Sequence, residues 1–152
     1  MVPLLAILIA CADGGGKQGA NTKQDPPQLA QPKEPAPIIF DIPSLLGKSI
    51  DEIRKILGKP QDQEMEPTEL QLKIGIDDWN NIFTKDGQEL LVTFNPRTRR
   101  VMDFFLEGQD KTILMQRGNL AEGTSAYRIE PVKEIRNPSK ITGIKIILSR
   151  GI

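Results

Sequence analysis

The sequence contains no histidine, a single cysteine, one tryptophan and one tyrosine in 152 residues. Without histidine, the chain lacks the commonest general base and the commonest transition-metal ligand. One cysteine, Cys11, excludes an internal disulfide and a zinc site built from several cysteines. So few aromatic residues supply a poor stacking platform for nucleic-acid bases. We therefore expect no catalytic residues, no metal site and no cofactor.

An excess of charge of one sign is also missing, because 20 Lys and Arg residues balance 20 Asp and Glu residues. A neutral chain has no long-range attraction to nucleic acids or to an anionic membrane face. We expect no nucleic-acid partner. The length suits one domain of ordinary size.

An apolar run at residues 4–10 is followed directly by Cys11. The run is too short to cross a bilayer, which needs about 20 apolar residues, but it suits the core of a signal peptide. Its end, Leu8-Ile9-Ala10-Cys11, resembles the bacterial lipobox, in which the cysteine is lipidated and becomes the new N-terminus. Residues 1–3 lack the basic residue typical of such signals, so either the start lies upstream or the signal is weak. The alternative is a chance apolar start with a free or buried thiol.

The lipobox resemblance implies a bacterial cell-envelope protein held in the membrane by an acyl anchor at Cys11. Ala12 and Asp13 are compatible with the outer membrane, and we expect its periplasmic face. Residues 12–37 are rich in Gly and Pro, and Leu29 is their only large apolar residue. Such a segment cannot offset its chain entropy by burial. The predicted organisation is a signal peptide at 1–10, the lipidated cysteine with a disordered tether at 11–37, and one domain at 38–152.

The best-defined predicted element of the domain is a short amphipathic helix over residues 50–57. Ser49 and Glu52 have the spacing of a capping box. Apolar residues recur on one face, and a helix-ending glycine and proline follow: Ile50, Ile53, Ile56 and Leu57, then Gly58 and Pro60. Before this helix we expect a strand over residues 38–42 and one helical turn over 43–46.

The pattern after an acidic loop at residues 61–69 changes to a period of two, which predicts antiparallel strands. A helix capped by Asp110 and ended by Gly118 should follow the first strands, and Pro131 should place a later strand at a sheet edge or mark a bulge in it. The predicted strands cover 70–76, 79–84, 89–94, 100–107, 127–135 and 144–148, and the predicted helix covers 111–117. The fold class is therefore α+β: a short N-terminal amphipathic helix packed on an antiparallel β-meander, with an additional C-terminal helix and strands.

The order of elements over residues 44–107 also carries a family resemblance. A capped helix ends in Leu57-Gly58-Lys59-Pro60, an acidic loop follows, and strands run through Trp79 and Val101. This pattern is similar to the SmpA/OmlA (BamE-like) lipoprotein domain. That family usually has two helices before its sheet, whereas the first here is one turn, and the segment after residue 110 has no clear counterpart. The resemblance implies a non-enzymatic lipoprotein that binds an envelope protein or has an outer-membrane assembly or structural role.

Six residues are candidates for protein binding. Trp79 is either a binding hot spot or a packing residue of the sheet. Arg97, Arg99 and Arg100 lie beside a turn, where they either meet an acidic partner or are solvated. Phe104 and Phe105 point to opposite faces of one strand, so one should be core and the other covered or part of an exposed patch.

Two other functions stay open. A hydrolase of envelope glycans that uses carboxylates alone would need two Asp or Glu side chains at a fixed separation in a cleft. A small lipid or ligand carrier would need a sheet that curls around an apolar cavity.

Overall fold

A computed structural model of the chain describes residues 34–149. These residues form an α+β fold with a five-stranded antiparallel sheet, which confirms the predicted class. Cys11, the predicted signal peptide and most of the predicted tether lie outside the described residues. The helices are α1 (Ile50–Leu57), α2 (Glu69–Lys73) and α3 (Lys111–Arg117), and the strands are β1 (Trp79–Lys85), β2 (Gln88–Phe94), β3 (Val101–Glu107), β4 (Tyr127–Lys133) and β5 (Ile141–Leu148).

The sheet has the strand order β1-β2-β3-β5-β4. The first three strands form the predicted meander, and Asp86 and Gly87 make the predicted hairpin turn with φ values of 49° and 72°. The last two strands continue the sheet beyond β3, with β4 at the far edge. Pro131 lies in β4, so its missing N–H falls on an edge strand, as predicted.

Helix α1 begins and ends where the sequence predicts. The side chain of Ser49 accepts a hydrogen bond from the Glu52 backbone N–H, the backbone N–H of Ser49 donates to Glu52, and Gly58 ends the helix with φ 91°. Ile50 and Ile53 are fully buried, but Ile56 is 54% exposed. The helix therefore buries a narrower face than the sequence pattern suggested.

The segment before α1 contains one short helical turn, Ile42–Leu45, close to the prediction. The predicted strand at residues 38–42 is wrong. The backbone N–H groups of Ile39 and Phe40 both donate to the carbonyl of Arg117, at 2.8 and 3.0 Å. This segment satisfies its hydrogen bonds at the end of α3 and has no place in the sheet.

The predicted strand at residues 70–76 is also wrong, because residues Glu69–Lys73 form helix α2. Thr68 and Gln71 form a second capping box, which satisfies the first orphan N–H groups of a helix. Gly75 then turns the chain with φ 92°. The alternation of Leu70, Leu72 and Ile74 is also typical of a strand, but the capping box at Thr68 and Gln71 decides the local structure.

The core lies on one face of the sheet. Alternate strand residues such as Leu90, Phe104 and Ile146 form a single buried cluster with residues of the helical turn, α1 and α3. Helix α2 buries none of its residues. The opposite face of the sheet, here called the outer face, adds no residue to this buried cluster, and the helical residues in the cluster belong to the helical turn, α1 and α3.

Candidate protein-binding site

The outer face carries a row of apolar side chains across three neighbouring strands. Ile82 of β1 pairs with Leu91 of β2, and Leu91 pairs with Phe105 of β3. All three side chains are half-buried. Outward positions of a solvated antiparallel sheet are normally polar, so this row departs from the usual pattern. We call Ile82, Leu91 and Phe105 the outer stripe.

The ring of Phe105 lies directly over Gly143 of strand β5. A Cβ atom added at Gly143 would lie 2.3 Å from Phe105 Cζ and 2.5 Å from the backbone oxygen of Leu106. The glycine therefore makes room for the ring and for the close approach of β3. Packing on the Gly143 backbone holds the ring of Phe105 in place.

Charged side chains surround the outer stripe. Lys145, the register partner of Phe105, has its Nζ 3.0 Å from Asp103 Oδ2. At the far edge of the sheet, Arg128 and Glu130 form an ion pair of 3.1 Å. A hydrogen bond with Glu107 raises the pKa of the exposed Glu89 carboxyl group above its ordinary value. An apolar centre with a polar rim is the usual anatomy of a protein interface.

Phe104 is fully buried in the core, on the face opposite Phe105. The expectation that the pair faces both ways is confirmed. Phe104 cannot contribute to a binding surface of the folded protein, and of the two only Phe105 is accessible to a partner.

Arg99 is held by two carboxylates. Its Nε and Nη2 donate to Asp51 at 2.9 and 2.6 Å, and its Nη1 and Nη2 donate to Glu66 at 2.7 and 2.8 Å. Hydrogen bonds from Arg99 lower the pKa of both carboxyl groups, and the two acids raise the pKa of Arg99. Both carboxylates are thereby paired within the domain, and Arg99 joins α1 to the acidic loop.

Arg54 extends this cluster into the protein. It donates to the buried Asn81 Oδ1 at 2.9 and 2.6 Å and to the Met65 carbonyl at 2.8 Å. The guanidinium groups of Arg54 and Arg99 lie 5.4 and 5.5 Å from the centroid of Phe94, at the distance of cation–π contacts. The sequence analysis did not single out Arg54, because a basic residue near a helix C-terminus has a sufficient explanation in the helix dipole.

The other two arginines of this turn, Arg97 and Arg100, make contacts different from those of Arg99. Arg97 Nη2 donates to the carbonyl of Leu72, and its Nε lies 3.6 Å from Asp77 Oδ1. The backbone of Arg100 pairs with that of Ser49 in an isolated antiparallel β-bridge, and Arg100 is exposed. The predicted arginine cluster is therefore split among three different contacts.

Trp79 is half-buried against the core, in register with Phe94. Its Nε1 donates to the Glu64 carbonyl at 3.2 Å. These contacts match the alternative in which Trp79 packs the sheet. The acidic loop that Trp79 contacts also covers the open edge of β1. The Gln61 N–H donates to the Ile82 carbonyl, and the Ile82 N–H donates to the Asp62 carboxylate.

A second apolar surface was missed by the sequence analysis. Leu70 of α2 is 69% exposed, and Ile74, the C-cap residue of the same helix, is 72% exposed. We call residues 68–78 the α2 arm. The overlooked signal is the capping box at Thr68 and Gln71, which would have predicted a helix and hence one shared face.

An open groove of about 880 Å³ lies between α3 and residues 35–38. Pro37, Met115 and Leu120 line it, and the Ala36 N–H donates to Gln116 Oε1 at 2.9 Å. The chain thus contacts the domain two residues before the predicted boundary at Ile38. No strand residue lines this groove, so it is not the cavity of a curled sheet that the ligand-carrier alternative requires.

Two negative findings concern residues 34–149 only. No helix among them is long and apolar enough to cross a membrane. Their Asp and Glu side chains form no group of three or more that could hold a metal ion.

Comparisons with protein families, with curated proteins and with solved structures found no match to this chain.

Proposed function

We propose that this chain is a non-enzymatic, lipid-anchored protein of a bacterial cell envelope, whose domain binds another protein through the outer face of its sheet. The observation that carries the proposal is the outer stripe. Ile82, Leu91 and Phe105 are aligned by strand register on the face of the sheet opposite the core.

The stripe has the physical properties of an interface centre. Side chains directly opposite each other on neighbouring antiparallel strands lie about 4.5–5.5 Å apart, so the three residues form one continuous patch. Covering apolar surface stabilises a complex by roughly 25 cal/mol per Å² before the costs of association. Because Phe105 rests on Gly143, its ring loses little freedom when a partner covers it.

The proposed address depends on Cys11 and the lipobox resemblance. A lipidated cysteine followed by a polar tether would leave the domain free to meet a partner at the membrane, on the periplasmic face of the outer membrane. The SmpA/OmlA resemblance over residues 44–107 supports the same placement and an assembly or structural role.

Labelling tests the anchor. We expect the full chain, produced in a bacterium that processes lipoproteins, to incorporate radiolabelled palmitate, and we expect Cys11→Ala to abolish incorporation, because the lipobox places the acyl groups on this sulfur. Label retained by Cys11→Ala, or no label in the unmodified chain, would rule the anchor out.

In-cell crosslinking tests the binding surface. A photoreactive amino acid at Leu91, in the centre of the outer stripe, should give one discrete adduct with another envelope protein. The matched position is Lys55, which is exposed on α1 and lies away from the outer face. We expect at least tenfold less of the adduct from Lys55, and equal yields at both positions would contradict the proposal.

A further inference from the structure

The α2 arm is built from contacts within itself. Its backbone hydrogen bonds run from Leu72 N to Thr68 O, from Ile74 N to Leu70 O and from Ile76 N to Gln71 O. Arg97 joins the arm to the β2–β3 turn through the Leu72 carbonyl and Asp77. The arm is therefore held together by its own backbone hydrogen bonds and is joined to the β2–β3 turn by one arginine.

Two of the four large apolar side chains of the arm face water, whereas Leu72 and Ile76 are half-buried. Leu70 and Ile74 lie one helical turn apart and are 69% and 72% exposed. Burial of a leucine or isoleucine side chain stabilises a fold, and this fold gains little of that stabilisation at either position. A short helix is marginal on its own, and here the Thr68–Gln71 capping box holds the two side chains side by side. Such a preformed apolar pair indicates a docking element.

The surroundings of this pair are acidic. Glu69, Asp77 and Asp78 are exposed on the arm, and Lys73 is its one exposed basic residue. Arg97 pairs with Asp77, and among the remaining exposed charges of the arm the two acids Glu69 and Asp78 outnumber Lys73. An anionic lipid surface would be repelled by this rim. The α3 groove of a second copy fits poorly, because its Lys111 is already paired with Glu122.

We propose that the α2 arm inserts Leu70 and Ile74 into an apolar pocket of a partner protein, and that Lys or Arg residues surround this pocket. The surface is separate from the outer stripe, so the proposal does not depend on the sheet face binding anything. The arm supplies the apolar pair and the acidic rim, and Arg97 sets its position.

The first step of the test is a photoreactive residue at Ile74 in the full chain, produced in its own cells. The adduct should contain a second protein, and the crosslinked peptide should carry Lys or Arg within a few residues. An adduct with lipid, an adduct with a second copy of this chain, or no adduct would overturn the proposal.

The second step measures the dissociation constant with the purified crosslinked protein. The double variant Leu70→Ser/Ile74→Ser should weaken binding at least tenfold, and Asp78→Lys at least threefold. The matched control is Ile135→Ser, which removes an apolar side chain that is 98% exposed outside the arm and should change the constant less than twofold. Because Leu70 and Ile74 contribute little to the core, the urea midpoint of the double variant should equal that of the unmodified chain. An unchanged dissociation constant in the double variant would contradict the proposal.

Discussion

Arg99→Gln should lower the free energy of unfolding by about 2 kcal/mol, because it removes charge-assisted hydrogen bonds to two carboxylates at once. Asp51 and Glu66 are both partly exposed, so water recovers some of the lost interaction and the effect stays well below that of a buried ion pair. Arg99 also lies over Phe94, and the loss of that contact adds to the cost. Urea unfolding at pH 7 would measure the difference.

The control for this variant is Arg136→Gln. Arg136 is exposed in the loop after β4, and its replacement should change the free energy of unfolding by less than about 0.5 kcal/mol. Equal effects of the two substitutions would show that the Arg99 cluster does not hold the fold together.

The same variant should change the response to acid. Arg99 lowers the pKa of Asp51 and of Glu66 in the folded state. A carboxyl group with a depressed folded pKa contributes stability above its unfolded value of about 4, and this contribution is lost as the pH falls through the folded pKa. The ordinary pKa values of carboxyl groups lie in the range of roughly pH 5 to pH 3. Over this range the unmodified protein should therefore lose more stability than Arg99→Gln. A gap between the two proteins that stays constant over this range would contradict the assignment.

Gly143→Ala is expected to cost about 2–3 kcal/mol, which is typical of overpacking a tight site. The new methyl group would meet Phe105 Cζ at 2.3 Å and the Leu106 carbonyl oxygen at 2.5 Å. The ring can rotate away, but the carbonyl belongs to the neighbouring strand and cannot move without disturbing the β3–β5 pairing. Thermal and urea unfolding would both report the loss.

A double-mutant cycle with Phe105→Ala separates the two clashes. Without the ring, Gly143→Ala should cost less but still about 1 kcal/mol, because the Leu106 carbonyl remains. A full disappearance of the cost would assign the whole effect to the ring. An unchanged cost would mean that Phe105 does not rest on Gly143.

Local signals in the sequence predict the helices well where a cap was recognised. Ser49 with Glu52 and Asp110 before residue 111 placed α1 and α3 correctly, because caps act within one turn of the chain. The same chemistry at Thr68 and Gln71 was overlooked in favour of alternating apolar residues, which produced a false strand. Short apolar runs are ambiguous between helix and strand when periodicity alone is considered.

The candidate site could be predicted only in part. The sequence shows that Phe104 and Phe105 face opposite sides, but packing from distant elements decides which side is core. Likewise, the partners of Arg99 lie 48 and 33 residues away, so its side chain looked available for binding in the sequence. The outer stripe depends on strand register, since Ile82, Leu91 and Phe105 become neighbours only after the sheet forms.

Central to this account is the binding of a protein by the outer stripe. Its most direct test is the dissociation constant of the protein crosslinked at Leu91, measured by titration calorimetry with Leu91→Asp and with Ile135→Asp. Both substitutions place a carboxylate on a surface apolar residue, but only Leu91 lies in the stripe. We expect at least a tenfold loss of affinity, about 1.4 kcal/mol, for Leu91→Asp and less than a twofold change for Ile135→Asp. Equal affinities for Leu91→Asp and the unmodified chain would contradict binding by the outer stripe.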